Sequence, residues 1–185
     1  MKKNISLLLI TLLILVISNL VLFAEKAKYD FRKTNWGMSK EQVKATEDKK
    51  PDIFEDGNTL GYKVIINEKD FVLIYYFLED KLYSSAYALS WEYVVKDIYF
   101  KSYEGIKEIL IEKYGKPKID IPGLQEDDLY KGNYIYWTLW ETPTTEICLM
   151  LSDDNNNIKL NLSYNSKELE EWVKQTIEEK VKSNF

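Results

Sequence analysis

The sequence predicts an α+β protein: two tandem helix-plus-antiparallel-meander units form one compact domain, and a C-terminal helix follows them. Residues 158–164 alternate apolar and polar side chains, which is typical of a strand with one buried face. Tyr103, Ile106, Leu110 and Tyr114 recur at spacings of three and four, which predicts a helix with one apolar face. One such unit buries little apolar surface by itself, so fusing two of them gives a better core.

The first 24 residues have the pattern of a secretory signal. Lys2 and Lys3 supply a positive start, residues 5–23 are almost wholly apolar, and Ala24 precedes a charged stretch. This pattern favours cleavage after Ala24, although the apolar stretch is also long enough for an uncleaved N-terminal anchor. Either alternative predicts export to the periplasm or the outside, with membrane contact only through this segment if it is retained. No Cys follows the stretch to carry a lipid.

Composition narrows the classes of function. The chain of 185 residues has a net charge of −5, and removal of residues 1–24 would lower that charge to −7, so we expect no nucleic-acid partner. There is no His and a single Cys, which excludes an imidazole base, a conventional zinc site and an internal disulfide. Cys148 lies in an apolar strand pattern that is typical of a small buried side chain. No cofactor is expected.

The remaining chain divides into four segments. Residues 25–35 are a polar lead-in, residues 36–100 the first unit, residues 101–165 the second unit and residues 166–185 an amphipathic helix. This last helix carries an apolar stripe that is expected to dock onto the domain; the stripe consists of Leu169, Trp172, Val173, Ile177 and Val181.

The first unit opens with a predicted capping box. The Ser39 hydroxyl and the Gln42 amide should each accept a hydrogen bond from a free backbone N–H of the first turn, and the helix should end before Pro51. Three strands are predicted at residues 62–66, 71–77 and 82–89, while residues 91–100 fit either a fourth strand or a loop.

The second unit begins with a helix that Ser102 is predicted to cap. Gly115 and Pro117 end this helix, because glycine accepts the left-handed closing conformation and proline does not continue a helix. Residues 116–132 are predicted to be a linker. Strands are predicted at residues 134–140, 145–151 and 158–164.

Two short motifs carry a family resemblance. The opening Trp36-Gly37-Met38-Ser39-Lys40-Glu41-Gln42-Val43, an aromatic-Gly-x-Ser-x-x-x-Val pattern before a helix and a meander, resembles the small outer-membrane lipoproteins of the SmpA/OmlA family. Tandem helix-and-meander units resemble the β-lactamase inhibitor protein fold. The helix end Lys113-Tyr114-Gly115-Lys116-Pro117 is similar to the Gly-x-Pro end in these units. The whole chain also resembles uncharacterised exported bacterial proteins that carry both a Trp-Gly-Met-Ser and a Lys-Tyr-Gly-Lys-Pro motif. The resemblance implies a scaffold with a binding role in envelope assembly or protein inhibition. The lipid-bearing Cys and the inhibitor's disulfides are missing here, so neither family's partner carries over.

Aromatic side chains suggest a binding surface. The chain has fourteen Tyr, five Trp and seven Phe, and in a strand Tyr134, Tyr136 and Trp140 would share one face. Together with Tyr75 and Tyr87, these residues form the predicted partner-binding set, since Tyr and Trp combine a rigid apolar body with a polar tip. The alternative is that the strands favour aromatic residues for packing alone.

Two groups of acidic and amide residues raise the alternatives of calcium binding and of hydrolysis. Asp153, Asn155 and Asn157 have the alternate spacing of a calcium loop, but the required glycine is missing, so a polar hairpin turn accounts for them and no metal site is expected. Glu79-Asp80 and Glu126-Asp127-Asp128 would serve a cell-wall or carbohydrate hydrolase only if two acids faced each other. The sequence therefore predicts no catalytic residues, and an exported binding or scaffold protein whose partner is another envelope protein.

Overall fold

The computed structural model describes residues 29–90, 96–121, 135–154 and 157–183, in which three helices accompany one eight-stranded antiparallel sheet. This confirms the predicted α+β class and the C-terminal helix. The helices are α1 (Lys40–Thr46), α2 (Lys96–Tyr114) and α3 (Glu170–Ser183). The strands are β1 (Phe54–Glu55), β2 (Thr59–Ile66), β3 (Lys69–Leu78), β4 (Lys81–Leu89), β5 (Ile119–Ile121), β6 (Ile135–Glu141), β7 (Thr145–Asp154) and β8 (Asn157–Ser166). The predicted signal segment and Glu126-Asp127-Asp128 lie outside the described residues.

The strand order across the sheet is β1-β2-β3-β4-β8-β7-β6-β5. Each half therefore has a short outer strand followed by three longer ones, and the halves join where β4 pairs with β8, for example at Ser85 and Tyr164. The two strands that end the two halves of the chain thus meet at the middle of the sheet.

The segment before α1 is tied to both halves of the sheet. Gly37 has φ +83°, a conformation that suits glycine, and its N–H donates to the carbonyl of Leu82 at 2.8 Å. The indole N–H of Trp36 donates to the Thr145 hydroxyl at 2.9 Å. The predicted capping box is confirmed, because Ser39 Oγ accepts from the Gln42 N–H and Gln42 Oε1 accepts from the Ser39 N–H.

Helix α2 begins earlier than predicted. It already includes Lys96, so the expected boundary between residues 100 and 101 falls inside the helix, and residues 96–100 are neither strand nor loop. Ser102 is not the cap: it lies in the helix interior, where its hydroxyl donates to the carbonyl of Ile98 at 2.6 Å. Such bonding within a helix is an alternative use of the same side chain. The predicted end is confirmed, since Gly115 has φ +79° and its N–H donates to the Ile111 carbonyl at 2.8 Å.

The predicted linker after α2 is partly a strand. Residues 119–121 form β5, which pairs with β6 through Ile119 with Leu139 and Ile121 with Trp137. Between neighbouring long strands, Asn67-Glu68 and Glu79-Asp80 form tight turns in which both residues have positive φ. That geometry matches the twist of antiparallel strands and keeps the hairpins in register.

The hydrophobic core lies on one face of the sheet. Helix α2 packs against β7 and β8 on that face. The largest fully buried side chains include Trp140, Tyr62, Tyr75 and Tyr103. Several large core side chains are therefore aromatic rings that carry a polar group, and this group is buried together with the ring.

The apolar contacts of helix α3 are confined to its first half. The Ser166 hydroxyl accepts a hydrogen bond from the Leu169 N–H at 3.1 Å, just before the helix starts. The ammonium of Lys81 lies 4.6 Å from the centre of the Trp172 ring, and Lys180 pairs with Glu79 at 3.4 Å. These contacts place α3 beside the β3–β4 turn. In the predicted apolar stripe, Leu169, Trp172 and Val173 are partly buried, whereas Ile177 and Val181 are exposed.

The buried tyrosines predict a loss of stability at alkaline pH. Burial raises the pKa of Tyr62 to about 12, and burial likewise raises the pKa of Tyr103 to about 12, while an unfolded tyrosine ionises near ~10. The folded state thus keeps protons that the unfolded state has lost, so stability is full below pH ~10 and falls as the pH rises through about 12. Urea unfolding at increasing pH, with tyrosinate absorbance as a second signal, measures this.

A Tyr62→Phe variant is the control for that experiment. This variant lacks one of the phenols whose pKa is raised. Its free energy of unfolding should therefore fall less steeply over the same pH interval. Unfolding free energy that stays constant from neutral pH to about 12 would contradict the expectation.

Candidate functional site

Four of the five predicted partner-binding aromatics belong to the core. Tyr75, Tyr87, Tyr136 and Trp140 are at most 9% exposed, and Tyr134 lies outside the described residues. These four side chains therefore do not reach a partner in this fold. The prediction that they form an exposed face is wrong.

The reason is the side of the sheet on which the helices lie. The Tyr136 ring packs against Phe100 and Tyr103 of α2, with ring centres 5.8 and 5.7 Å away. The indole N–H of Trp140 donates to the carbonyl of Gly115 at 2.9 Å, directly at the end of α2. The ring of Tyr136 is thus packed inside the protein, and the polar group of Trp140 is hydrogen-bonded there rather than by a ligand.

Tyr75 and Tyr87 belong to a second cluster, here called the Arg32–Glu47 cluster, in which both tyrosines are buried and Arg32 reaches the surface. Two guanidinium nitrogens of Arg32 donate to the two carboxylate oxygens of Glu47, at 3.1 and 3.2 Å. The Tyr75 hydroxyl donates to the same carboxylate, and a third nitrogen of Arg32 donates to the Tyr87 hydroxyl at 3.4 Å. Phe31 packs on both tyrosine rings. The cluster fastens the lead-in to the core.

The chemistry of this cluster is structural. Burial and the hydrogen bond to Glu47 raise the pKa of Tyr75 well above its usual value, so the phenol stays neutral. Since Tyr75 is fully buried, a substrate cannot reach its oxygen. An open cleft of about 280 Å³ adjoins Glu47 and is lined by Lys44, Asp48, Lys49, Lys50 and Pro51. Lys44 and Lys49 are held there by Glu55 and Asp52, so their charges are already paired.

The opposite side of the sheet, here called the open face, is the candidate functional surface. It carries the alternate side chains that point away from the core, and most of them are partly exposed. Ile65 is 72% exposed and Ile121 is exposed as well. One row across the open face is Val72, Ala88, Asn161, Met150 and Trp137. The next row is Ile74, Ala86, Ser163, Cys148 and Leu139.

Side-chain size varies along these rows. The central strands β4 and β8 carry small or short polar groups (Ala86, Ala88, Ser163), whereas Ile74 on β3 and Met150 on β7 are bulkier. Cys148 on β7 is also small, so the strip of small side chains is one strand wider in the second row. The open face therefore has a strip of small side chains between two flanks of larger apolar ones. This strip is here called the trough. The sheet beneath it is hydrogen-bonded throughout, so the trough is a rigid platform.

Charged residues stand at the ends of the trough. Lys159 lies on β8 opposite Ser152, and Glu146 lies on β7 opposite Asn165. Lys159 is exposed and Glu146 partly exposed. Helix α3 borders the open face at the Glu146 end, because Lys81 pairs with Leu78 of this face and contacts Trp172.

The acidic residues that could bind a metal or serve acid catalysis have other contacts in the described part of the chain. No three His, Cys, Asp or Glu side chains in residues 29–90, 96–121, 135–154 and 157–183 group together as metal ligands. Asp153 of the suggested calcium loop is instead buried and pairs with Lys96 at 3.0 Å. Glu79 pairs with Lys180, and Asp80 accepts from the Lys40 N–H at the start of α1. These acids therefore already have partners within the protein.

Cys148 lies on the open face rather than in the core. Burial raises the pKa of its thiol, which keeps it protonated. It therefore contributes a small apolar surface to the trough and not a nucleophile.

Comparison of the chain with protein-family models, curated proteins and solved structures finds no match. Within the part of the chain that the structure describes, none of the helices has both the length and the apolar content to cross a membrane.

Proposed function

We propose that this protein is an exported, non-enzymatic binding or scaffold module of the cell envelope, which engages a protein partner through the open face. The observation that carries the proposal is the run of partly exposed apolar side chains across a rigid eight-stranded sheet. A surface of large apolar groups mixed with amide and hydroxyl groups is what protein interfaces use at their centres. Trp137 and Tyr76, which lie on this face, supply aromatic side chains in place of the buried tyrosines.

We also propose that the two halves of the chain are tandem units of one compact domain, related to the SmpA/OmlA and β-lactamase inhibitor scaffolds. The mirrored strand order supports this, since each half follows a helix with one short and three long strands. The second unit then starts no later than Lys96. Such an arrangement leaves one uninterrupted sheet surface, which suits a scaffold.

Export is part of the proposal and has its own test. Sequencing the N-terminus of the protein recovered from the envelope fraction distinguishes cleavage after Ala24 from a retained anchor. Recovery of the whole protein from the cytoplasm would contradict both alternatives.

The binding role is tested by capture from envelope extract with open-face variants. We expect Ile74→Ala with Trp137→Ala to reduce recovery of a specific partner at least about tenfold, which corresponds to ~1.4 kcal/mol. The matched control is Ile109→Ala with Ile111→Ala, which removes two exposed apolar side chains from the outer surface of α2. Equal recovery by both double variants and the unchanged protein would refute binding through this face.

The hydrolase alternative gains no support from the open face. Glu141 and Glu146 are cross-strand partners there. However, the hydrogen bond from Lys118, with Lys167 nearby, lowers the pKa of Glu141. A general acid needs the opposite shift.

A further inference from the structure

We propose that the partner presents a protruding polypeptide loop to the trough, with an acidic side chain placed at Lys159 and a basic side chain placed at Glu146. This rests on the proposed function and specifies the chemistry of the partner at that same face. The inference follows from the shape, the hydrogen-bonding groups and the charges of the trough.

The shape selects a convex occupant. The floor consists of Ala86, Ala88 and Ser163, while Ile74 and Met150 rise on its two sides. A second copy of this protein would present the same low centre, so two open faces would leave a void between them. A loop fills the strip and places its own apolar side chains against both flanks.

The floor can bind a peptide backbone. The Asn161 amide both donates and accepts, and the Ser163 hydroxyl does the same. At one end, the Ser84 hydroxyl donates to Asn165 Oδ1 at 2.7 Å, which orients that amide. A loop brings peptide N–H and C=O groups that must be hydrogen-bonded once water is excluded.

The charges give the trough a direction. Lys159 and Glu146 have no ion-pair partner within the described residues, whereas neighbouring Glu141 pairs with Lys118 and Lys167. From Lys159 to Asn165, which faces Glu146, the distance along β8 is about 20 Å at ~3.3 Å per residue. A partner with an acid and a base in the matching order is attracted, and one with the reverse order is repelled.

The test uses a displayed library of constrained loop peptides, selected on the full mature chain. Selected loops should carry an acidic and a basic residue at a constant separation. Their affinity should fall at least tenfold for the double variant Lys159→Glu with Glu146→Lys, which has the same composition and net charge as the original protein. Exchanging the acid and the base within a selected loop should restore its binding to that variant. Urea unfolding midpoints of both proteins verify that the variant is folded.

Three outcomes would overturn the inference. The first is the absence of enriched loops; the second is enriched loops that bind the charge-reversed variant equally well. In that second case, a loss of binding on Ile74→Ala with Trp137→Ala would leave the proposed function standing while the charge assignment fails. The third is light scattering that shows a dimer which those two alanines dissociate, because the occupant would then be a second copy.

Discussion

Replacing Trp140 with alanine is expected to lower the free energy of unfolding by about 3–5 kcal/mol. The side chain is almost fully buried, and its indole N–H is the hydrogen-bond donor to the Gly115 carbonyl where α2 ends. The change therefore opens a large cavity and also leaves a carbonyl without its partner. Urea unfolding followed by circular dichroism provides the measurement.

Trp137→Ala is the matched control, because it removes the same side chain from the other face of the same strand. Trp137 lies on the partly exposed open face, so its loss should cost about 1 kcal/mol. The difference between the two losses of unfolding free energy shows which face of β6 is in the core and which is at the surface. Equal destabilisation by both would mean that the faces of β6 are assigned incorrectly.

Removing the carboxylate of Glu47 is expected to have the second largest effect. Glu47→Ala should lower the free energy of unfolding by about 2–3 kcal/mol, since the buried Tyr75 hydroxyl loses its acceptor and Arg32 loses a two-point ion pair. Glu41→Ala is the control on the same helix. Glu41 is exposed, and Lys44 is its one ion-pair partner among the described residues, so its loss should cost no more than about 0.5 kcal/mol.

A double-mutant cycle with Tyr75→Phe tests the mechanism behind that effect. When the phenol oxygen is absent, deletion of the Glu47 carboxylate no longer leaves a buried donor unpaired. The effect of Glu47→Ala should therefore be smaller in the Tyr75→Phe background by at least about 0.5 kcal/mol. Strict additivity, or a Glu47→Ala effect as small as that of Glu41→Ala, would show that the cluster does not stabilise the fold.

Local signals in the sequence predicted much of the fold. Ser39 and Gln42 specify the start of α1, and Gly115 specifies the end of α2, because these residues act on backbone groups within one turn of themselves. The six long strands lie where apolar patterns predict them, with ends that differ by a few residues. The prediction that Ser102 caps α2 was wrong, because a serine that can cap a helix can also donate a hydrogen bond to a carbonyl inside one.

The candidate site was predicted less well. Strand β6 is apolar on both sides, with Tyr136 and Trp140 on one and Trp137 and Leu139 on the other, so alternation alone does not show which side is the core. Only the placement of α2 against the sheet resolves this. The trough was equally hidden, since Ala86 and Ser163 are far apart in the chain and become neighbours only through the β4–β8 pairing.

The sequence by itself determined the positions of the helices and long strands, and it excluded histidine chemistry and internal disulfides, because these properties depend on composition and on short-range spacing. The tertiary structure decided which aromatic side chains are inside and which surface is available to a partner. That choice depends on where α2 packs on the finished sheet, which is a long-range free-energy balance that no short segment encodes.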